Sequence, residues 1–238
     1  MKAIILAAGV GKRLRSVTGN PKCLLKISGV TLLERYLSAL ERLNVLDVAL
    51  VVGYEREKII EFADGLNFQG NIQFIENLDF TRGSILSLYQ AMSELDGDSL
   101  LMDGDVYFEP EVLERLMNPD QGNLVAIDTT SNSSGEEMMV GIKDGRILEM
   151  KRNLVGNYDI VGEAVGFYRF DGQACEELRE ILEGQVRLRK YNLGYEDVLP
   201  FLFQRIHFSP VIVDGLRWLE IDFEEDICRA ENLANVAP

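Results

Sequence analysis

The first fourteen residues constrain the fold more than any other part of the chain. An apolar run over residues 2–8 leads directly into a short segment, residues 9–14, in which two glycines are followed by Lys12 and Arg13. The apolar run predicts a buried strand, and glycines let the backbone approach a ligand closely. Backbone N–H groups followed by cations suit a polyphosphate. The start of the chain therefore predicts an α/β domain whose first loop holds a nucleoside triphosphate.

The glycine motif by itself is a weak signal. Gly9-x-Gly11 lacks the third glycine of the dinucleotide-binding pattern and the Gly-Lys-Ser/Thr ending of a Walker loop. An ordinary strand-to-helix turn with solvated Lys12 and Arg13 explains this motif equally well. The dipeptide Pro21-Lys22, a short distance downstream, favours the phosphate-binding interpretation.

Apolar residues along the first half of the chain alternate between the periods of strands and helices. Helical spacing occurs at residues 32–43, near 59–63 and at 84–95, and apolar strand-like runs occupy 48–53, 72–75 and 99–102. This alternation predicts a Rossmann-like α/β fold, with a mainly parallel sheet flanked by helices on both faces.

Carboxylates follow one of the predicted strands. Asp103 and Asp105 come directly after the run 99–102, with a glycine between them. Ligands of open α/β sheets bind beyond the carboxyl ends of strands, so we expect both residues to face the same crevice as the first loop. Asp-Gly-Asp is also a natural turn sequence, and turn formation alone is the alternative.

The middle of the chain is richer in turn residues. Turn-like segments at 131–135 and 143–146 predict hairpins or an excursion from the main sheet. With 238 residues and 47% hydrophobic content, the chain can bury one sizeable core. We expect one domain over residues 1–238, with the option of a lid or subdomain within 118–160.

The charge of the chain narrows the range of partners. The sequence has 24 Lys and Arg against 39 Asp and Glu, a net charge of −15. A field of this sign repels nucleic acid and anionic membranes, so neither is expected as a partner. A small phosphorylated substrate stays compatible, because Lys12, Arg13, Lys22 and Lys26 concentrate positive charge near one end and a divalent cation can offset the carboxylates.

Cysteine usage and hydropathy indicate the compartment. Cys23, Cys175 and Cys228 fit neither a disulfide framework nor a C-x-x-C metal site, which favours free thiols in a reducing compartment. The first apolar run is too short for a signal peptide, and no stretch reaches the ~18 apolar residues of a membrane span. A cytoplasmic monomer or homodimer is expected.

Several motifs together resemble one enzyme family, the nucleotidyltransferases that make NDP-sugars and CDP-alcohols. The resemblance is carried by Leu6-Ala7-Ala8-Gly9-x-Gly11-x-Arg13-Leu14, by Pro21-Lys22-x-Leu24-Leu25-x-Ile27-x-Gly29, and by Leu32-Leu33-Glu34-Arg35. Within that family, the C-terminal segments 162–167, 195–197 and 218–226 look most like the phosphocholine and phosphonate (2-aminoethylphosphonate type) cytidylyltransferases.

The resemblance implies a role for each matching residue. Lys12, Arg13 and Lys22 are the implied catalytic cations, with Lys22 reaching the α-phosphate and the acceptor. The nucleotide is implied to lie along Leu6, Ala7, Ala8, Gly9, Gly11, Ser84 and Asp103. Mg²⁺ is the implied cofactor, with Asp105 and Asp222 as ligands, in keeping with its preference for a few carboxylates plus phosphate oxygens. The acceptor pocket is implied to include Glu163, Tyr195, Glu196, Asp197 and Trp218.

Each of these roles has a plainer alternative. Lys22 can be a solvated loop lysine, and Ser84 a helix N-cap. Asp222 can N-cap a helix that starts at residue 223, with Glu225 completing a capping box. The acceptor-pocket residues can be surface carboxylates or a core indole.

The sequence also limits the reaction type. The only histidine, His207, lies in the strand-like segment 206–208 and is expected to be structural. Without a histidine base no Ser-His-Asp triad can be assembled, and Gly-x-Ser-x-Gly is absent, which disfavours a hydrolase. A phosphate or phosphonate acceptor, with a second pKa of about 6, is mostly dianionic at pH 7 and needs no general base.

The expected activity is therefore transfer from CTP, or another NTP, to a small phospho-alcohol or phosphonate, with release of pyrophosphate. One alternative is a sugar-1-phosphate nucleotidyltransferase. Another is a regulatory subunit that binds nucleotide sugars without turnover. The presence of Arg13, Lys22, Asp105 and Asp222 together argues against the regulatory subunit, since a sensor could lose any of them.

Overall fold

The computed structural model describes residues 1–14, 19–117, 122–131 and 135–235. The strands in this part of the chain are β1 (Lys2–Ala7), β2 (Lys26–Ile27), β3 (Val30–Thr31), β4 (Asp47–Val52), β5 (Asn71–Glu76), β6 (Ser99–Asp103), β7 (Val106–Phe108), β8 (Leu124–Asp128), β9 (Met139–Lys143), β10 (Arg146–Lys151), β11 (Ile160–Phe170), β12 (Ser209–Ile212) and β13 (Trp218–Glu220). The helices are α1 (Leu32–Arg42), α2 (Arg56–Asp64), α3 (Ile85–Gln90), α4 (Pro110–Leu116), α5 (Gly172–Arg187), α6 (Leu199–Phe203) and α7 (Glu224–Asn235), with 3₁₀ turns at Lys22–Leu24 and Met92–Glu94.

A nine-stranded sheet forms the centre of the molecule. Its strands lie side by side in the order β12-β8-β11-β6-β1-β4-β5, and the hairpin β9–β10 lies against the first half of β11. Strands β10 and β11 run opposite to the other seven. The predicted mainly parallel α/β sheet is confirmed, with β11 as an antiparallel strand inside it.

Helices cover both faces of the sheet, as the alternating pattern predicts. Ala3 and Ile5 of β1 pack into one core with residues of α1, α2, α4 and α7, whereas Ile4 packs into a second core with residues of α3, α5 and α6. Successive strand residues point to opposite faces, and a strand buried on both faces is continuously apolar. The run 2–8 has this composition because it occupies the middle of the sheet.

Most predicted elements are found within a few residues of their expected positions. The helix expected at 84–95 is shorter, because α3 ends at Gln90 and a 3₁₀ turn follows. The segment 143–146 forms the turn of the β9–β10 hairpin. This hairpin and β8 belong to the main sheet, so the described part of the expected lid region is built onto that sheet. Residues 132–134 of the turn expected at 131–135 lie outside the described residues.

The structure places His207 on the surface. It is exposed in the loop before β12, and its Nε2 lies 3.2 Å from the Ser209 hydroxyl. Among the described helices, none is long and apolar enough to cross a bilayer.

Candidate active site

The first loop begins where β1 ends at the carboxyl edge of the sheet. Leu6 pairs with Asp103 in the parallel ladder between β1 and β6, which sets the loop beside the Asp103–Asp105 turn. The backbone N–H groups of residues 9–13 donate to no other described residue. Such a run of free N–H groups is suited to binding an anion. Lys12 is exposed and takes part in none of the described ion pairs.

Lys22 is fixed beside this loop. The Pro21 carbonyl accepts the first hydrogen bond of a 3₁₀ turn from the Leu24 N–H, 2.9 Å away. Cys23 is the buried residue of this turn. Gly11 has a φ of +58°, and a Cβ there would lie 2.9 Å from Cγ of Lys22. Only glycine therefore suits both the left-handed backbone at position 11 and the close approach of the Lys22 side chain.

Two carboxylates contact the Lys22 ammonium group, and a third lies close to both of them. Its Nζ lies 2.9 Å from Oδ2 of Asp105 and also contacts Oδ1 of Asp222. Oxygens of Asp105, Glu220 and Asp222 all lie within 4.8 Å of one another. A small antiparallel ribbon brings them together, since Glu220 of β13 pairs with Val106 of β7 and the Ile221 N–H donates to the Asp105 carbonyl. A carboxylate cluster with this spacing fits the oxygen donors that Mg²⁺ prefers.

The close approach of these charged groups shifts the pKa values of Lys22 and Glu220. Burial would lower the pKa of the Lys22 ammonium, but the charges of Asp105 and Asp222 outweigh burial and hold that pKa above its usual value. The Glu220 side chain is exposed at the cleft, yet desolvation by the surrounding walls and the charges of Asp105 and Asp222 raise its pKa to about 8. The cluster therefore favours a cation at its centre, which is Lys22 in this structure.

Arg13 lies at the edge of the same cluster. Its guanidinium is 3.2 Å from Oδ2 of Asp222 and 3.1 Å from Oε2 of Glu136, and it lies 4.5 Å above the Phe223 ring. Two of the three implied catalytic cations, Arg13 and Lys22, thus share Asp222, whereas Lys12 takes part in none of the described ion pairs.

Asp103 occupies a confined position between the loop and the cavity described below. Its Oδ2 accepts a hydrogen bond from the Tyr195 hydroxyl at 2.6 Å. Gly166 has a φ of +84°, and a Cβ there would lie 2.4 Å from the same oxygen. Burial, together with the charges of Glu196 and Asp105, raises the pKa of Asp103 well above its usual value.

The capping alternative for Asp222 is wrong, because Asp226 does the capping. Helix α7 begins at Glu224, and Oδ2 of Asp226 accepts from the N–H groups of Asp222 and Phe223 at 3.0 and 2.8 Å. An acidic side chain three residues into a helix often reaches back in this way. The carboxylate of Asp222 is thereby left for Lys22 and Arg13.

Ser84 precedes α3 without capping it through its side chain. Its hydroxyl instead accepts from the Tyr195 N–H at 2.9 Å and so attaches the segment 191–197 to the start of α3. The backbone N–H of Gly83 donates to the Tyr191 carbonyl in the same contact.

A large cavity adjoins the carboxylate cluster. It has a volume of about 1080 Å³, and nine carboxylate side chains but only four arginines line it. Glu163, Glu196 and Trp218 of the implied acceptor residues are in its lining. Tyr195 and Asp197 are not: Tyr195 is buried beneath, with its hydroxyl on Asp103, and Asp197 is exposed and accepts from the Gly194 N–H at 2.9 Å.

The structure adds residues that the sequence analysis does not select. Glu220 joins the metal-type cluster, and its spacing of two from Asp222 was the available signal. Tyr36 of α1 is buried, and its hydroxyl bonds to the Asp103 and Val106 carbonyls at 2.5 and 3.0 Å. It holds the turn that carries Asp105. Helical spacing alone marks Tyr36 as a core residue.

Comparison with known sequences identifies a protein family and several relatives. Residues 3–191 match the profile of the MobA-like NTP transferase domain. A bifunctional protein GlmU of Methanococcus aeolicus is 31% identical over 201 residues, which are 79% of this chain and 45% of that protein. A CMP-5'-(3-aminopropyl)phosphonate synthase of Streptomyces rubellomurinus is 38% identical over 128 residues, 53% of this chain and 20% of that protein.

A bifunctional IPC transferase and DIPP synthase of Rubrobacter xylanophilus is 28% identical over 235 residues, 97% of this chain and 51% of that protein. The chain thus spans about half, or less, of the length of these curated relatives.

Solved structures show the same fold. The CTP:phosphocholine cytidylyltransferase of Streptococcus pneumoniae superposes with a TM-score of 0.81 at 22% identity, covering 98% of this chain and 99% of that one. The inositol-1-phosphate CTP transferase of T. maritima gives a TM-score of 0.78 at 22% identity, covering 100% and 98%. With the profile match over most of its length, the chain belongs to the MobA-like NTP transferase domain family, a nucleotidyltransferase family that includes cytidylyltransferases.

Proposed function

We propose that this protein is a Mg²⁺-dependent cytidylyltransferase that joins CTP to a small phosphorylated alcohol or phosphonate carrying a cationic group. The observation that carries the proposal is the position of Lys22. Its ammonium group contacts Asp105 and Asp222 of the carboxylate cluster, close to the free N–H groups of the first loop, and Asp222 and Glu220 of this cluster also line the acidic cavity.

The loop and its cations account for binding of the triphosphate. The N–H groups of residues 9–13 and the side chains of Lys12 and Arg13 supply donors and positive charge for phosphate oxygens. Arg13 is held at the edge of the cleft by Glu136 and Asp222. Phosphate oxygens would compete with these carboxylates for its guanidinium.

The carboxylate cluster fits a divalent cation. Asp105, Glu220 and Asp222 would hold Mg²⁺, which supplies charge neutralisation for the phosphates during transfer. Lys22 supplies positive charge at the α-phosphate, where negative charge develops as pyrophosphate leaves. The acceptor dianion is its own nucleophile, so no side chain has to remove a proton.

The cavity supports an acceptor with a positive end. Nine acidic side chains against four arginines give its lining an excess of acid even with the raised pKa values of Asp103 and Glu220, and Trp218 adds an aromatic face. Aromatic faces and carboxylates are the side chains that stabilise ammonium groups. The relative named as an aminopropylphosphonate CMP synthase and the fold of the phosphocholine enzyme are in keeping with this acceptor type.

The same geometry leaves a sugar-1-phosphate as the alternative acceptor, and the similar fold of a putative glucose-1-phosphate thymidylyltransferase of Bacillus anthracis is in keeping with it. A panel of CTP, UTP, dTTP, GTP and ATP against phosphocholine, 2-aminoethylphosphonate and glucose 1-phosphate, with pyrophosphate release as the readout, tests the proposal. We expect the highest kcat/KM with CTP and one of the two cationic acceptors. A higher value for glucose 1-phosphate would overturn the proposed acceptor class. Nucleotide binding without pyrophosphate release in any pair would indicate a regulatory protein.

A further inference from the structure

Trp218 is the only tryptophan of the sequence, and it forms part of the cavity wall. It pairs with Phe108 in the β7–β13 ribbon, two residues before the Glu220 of the carboxylate cluster. Strand residues two apart lie on the same face, about 7 Å from each other. The indole ring is therefore placed one step along the wall from the reacting end of the site.

The indole ring packs against the hydrophobic core, and one carboxylate accepts its N–H. The indole Nε1–H donates to Oδ2 of Asp128 at 2.8 Å. The other oxygen, Oδ1, accepts from the Thr130 N–H at 2.8 Å and from the Thr130 hydroxyl at 2.6 Å. Asp128 is the last residue of β8, where it pairs with Glu163 of β11. The carboxylate thus ties the ring of one ribbon to the end of a strand in the main sheet.

Asp128 stays charged in this setting. Partial burial would raise the pKa of its carboxyl group, but the hydrogen bonds from Thr130 and Trp218 outweigh burial and lower that pKa. An anion that accepts the indole N–H polarises the hydrogen bond and makes the π face more negative. Both effects favour a cation against the ring.

We propose that Asp128 is a positioning residue for the acceptor, which acts by holding the plane and polarity of the Trp218 ring against the cationic end of the acceptor. The cationic acceptor is taken from the proposed function. The fixed ring is a property of the free protein and does not depend on that acceptor.

Steady-state kinetics of the full chain test the inference through a double-mutant cycle of Asp128→Ala and Trp218→Phe. Phenylalanine keeps an aromatic face but cannot donate to position 128. We expect Asp128→Ala to raise the KM for phosphocholine by ~3- to 30-fold, the range of a cation–π contact, with the KM for CTP nearly unchanged. In the Trp218→Phe background, the same substitution should have little further effect. Equal effects of Asp128→Ala in both backgrounds would overturn the inference, since Asp128 would then contact the acceptor directly.

Two further variants separate positioning from general damage. Asp128→Asn retains an oxygen that can accept the indole N–H. Its acceptor KM should therefore be much lower than that of Asp128→Ala and closer to that of the unmodified chain. Asp159→Asn is the matched control, because Asp159 accepts the Asp144 N–H of the β9–β10 turn at 2.8 Å and is outside the cavity lining. We expect a normal acceptor KM for Asp159→Asn. An acceptor KM in Asp128→Asn as high as in Asp128→Ala, together with a raised acceptor KM in Asp159→Asn, would show general damage and overturn the inference.

Fluorescence gives a readout that is independent of turnover. Because Trp218 is the only tryptophan, its time-resolved anisotropy reports the mobility of this ring alone. Asp128→Ala should increase the fast ring motion in the free protein, and Asp159→Asn should not. Unchanged ring motion in Asp128→Ala would overturn the inference even if phosphocholine is a substrate. If no cationic acceptor is turned over but the ring motion changes as expected, the proposed acceptor fails and the positioning role of Asp128 stands.

Discussion

At this site, side chains of the same type that lie close together in the sequence have different contacts. Lys22 is enclosed by carboxylates, whereas Lys26, only four residues on, is exposed on β2. Asp222 faces Lys22, whereas Asp226 caps the helix that follows. Each pair offers a functional residue and a chemically matched neighbour, so the charge of a residue can be distinguished from its position.

Lys22→Ala should lower kcat by at least ~100-fold, because a cation that strengthens its contact in the transition state contributes several kcal/mol. Lys26→Ala serves as the control and should keep the rate of the unmodified chain. Pyrophosphate release measures both, with circular dichroism to check the fold. A near-normal rate for Lys22→Ala would remove this residue from the catalytic machinery.

Asp222→Asn should raise the Mg²⁺ concentration needed for half-maximal rate, because it removes one anionic ligand. Asp226→Ala should instead lower the melting temperature by roughly 2–4 °C, since loss of a helix cap costs about 1 kcal/mol. Metal titrations of the rate and thermal melts of both variants make the comparison. The assignment of the two roles is contradicted if Asp222→Asn changes only the melting temperature.

The local sequence pattern predicts individual strands, helices and loops better than it predicts the long-range contacts between them. The run 2–8, the two glycines after it and Pro21-Lys22 lie within one short stretch, so the sequence alone indicates the strand, the loop and the cation. Glu220 reaches Asp105 only because β13 pairs with β7 across more than a hundred residues. Trp218 meets Asp128 across 90 residues of sequence, and no periodicity encodes either pairing. The sequence motif predicts Tyr195 at the acceptor, but the structure buries it. Burial of this kind depends on packing between distant segments, which the local pattern does not show.

The segment 191–197 carries Glu196 to the cavity and leaves Asp197 outside it. Glu196→Gln should raise the KM for a cationic acceptor by about 10-fold, equivalent to roughly 1.4 kcal/mol, with little change in the KM for CTP. Asp197→Asn is the neighbouring control, because its amide oxygen can still accept the Gly194 N–H. Initial-rate kinetics with each substrate varied in turn would measure both. An equal rise in the two variants would contradict a specific role of Glu196.

The start of β1 is tied to the 3₁₀ turn after α3 by one buried acid. Glu94 accepts from Lys2 Nζ at 2.5 Å and from the Gln73 amide at 3.1 Å, and the hydrogen bond from Lys2 lowers the pKa of Glu94 below its usual value of 4.5. A lowered folded-state pKa gives stability that is present above pH 4.5 and lost as the pH falls through the folded-state value.

Glu94→Gln should therefore lower the free energy of unfolding at pH 7 by about 1–3 kcal/mol, the range for hydrogen bonds to charged groups. The difference from the unmodified chain should shrink as the pH drops below 4.5. Urea unfolding at several pH values measures it. Glu183→Gln, in an exposed pair with Arg187, should change stability by less than about 1 kcal/mol. A pH-independent difference for Glu94→Gln would contradict the ion-pair explanation.

Over the whole molecule, an excess of acid coexists with a cationic end that we propose binds phosphate. The net charge is −15, and the acidic lining of the cavity lies next to Lys22 and Arg13. The site thus joins a region suited to phosphate with one suited to a cation, which matches an acceptor with opposite charges at its two ends.

The KM values of acceptors with and without a cationic group should depend differently on ionic strength. Salt screens attraction between exposed charges, with a Debye length near 10 Å at 0.1 M and about 3 Å at 1 M. The KM for phosphocholine should rise with salt more steeply than the KM for glycerol 3-phosphate, which has the phosphate without the cation. Rates with both acceptors from 0.05 to about 0.5 M salt give the ratio. A ratio that does not change with salt would contradict an electrostatic role of the acidic lining.

Strand β11 has eleven residues, and its two halves have different neighbours. The second half pairs with β6, which ends in Asp103, whereas the first half pairs with β9 of the hairpin whose flanking residues Met138 and Arg152 line the cavity. Substitutions in the hairpin would therefore reshape the proposed acceptor wall, while the ladder of β6 and β1 keeps Asp103 beside the first loop. An architecture divided in this way can acquire new acceptors during evolution without inventing a new reaction.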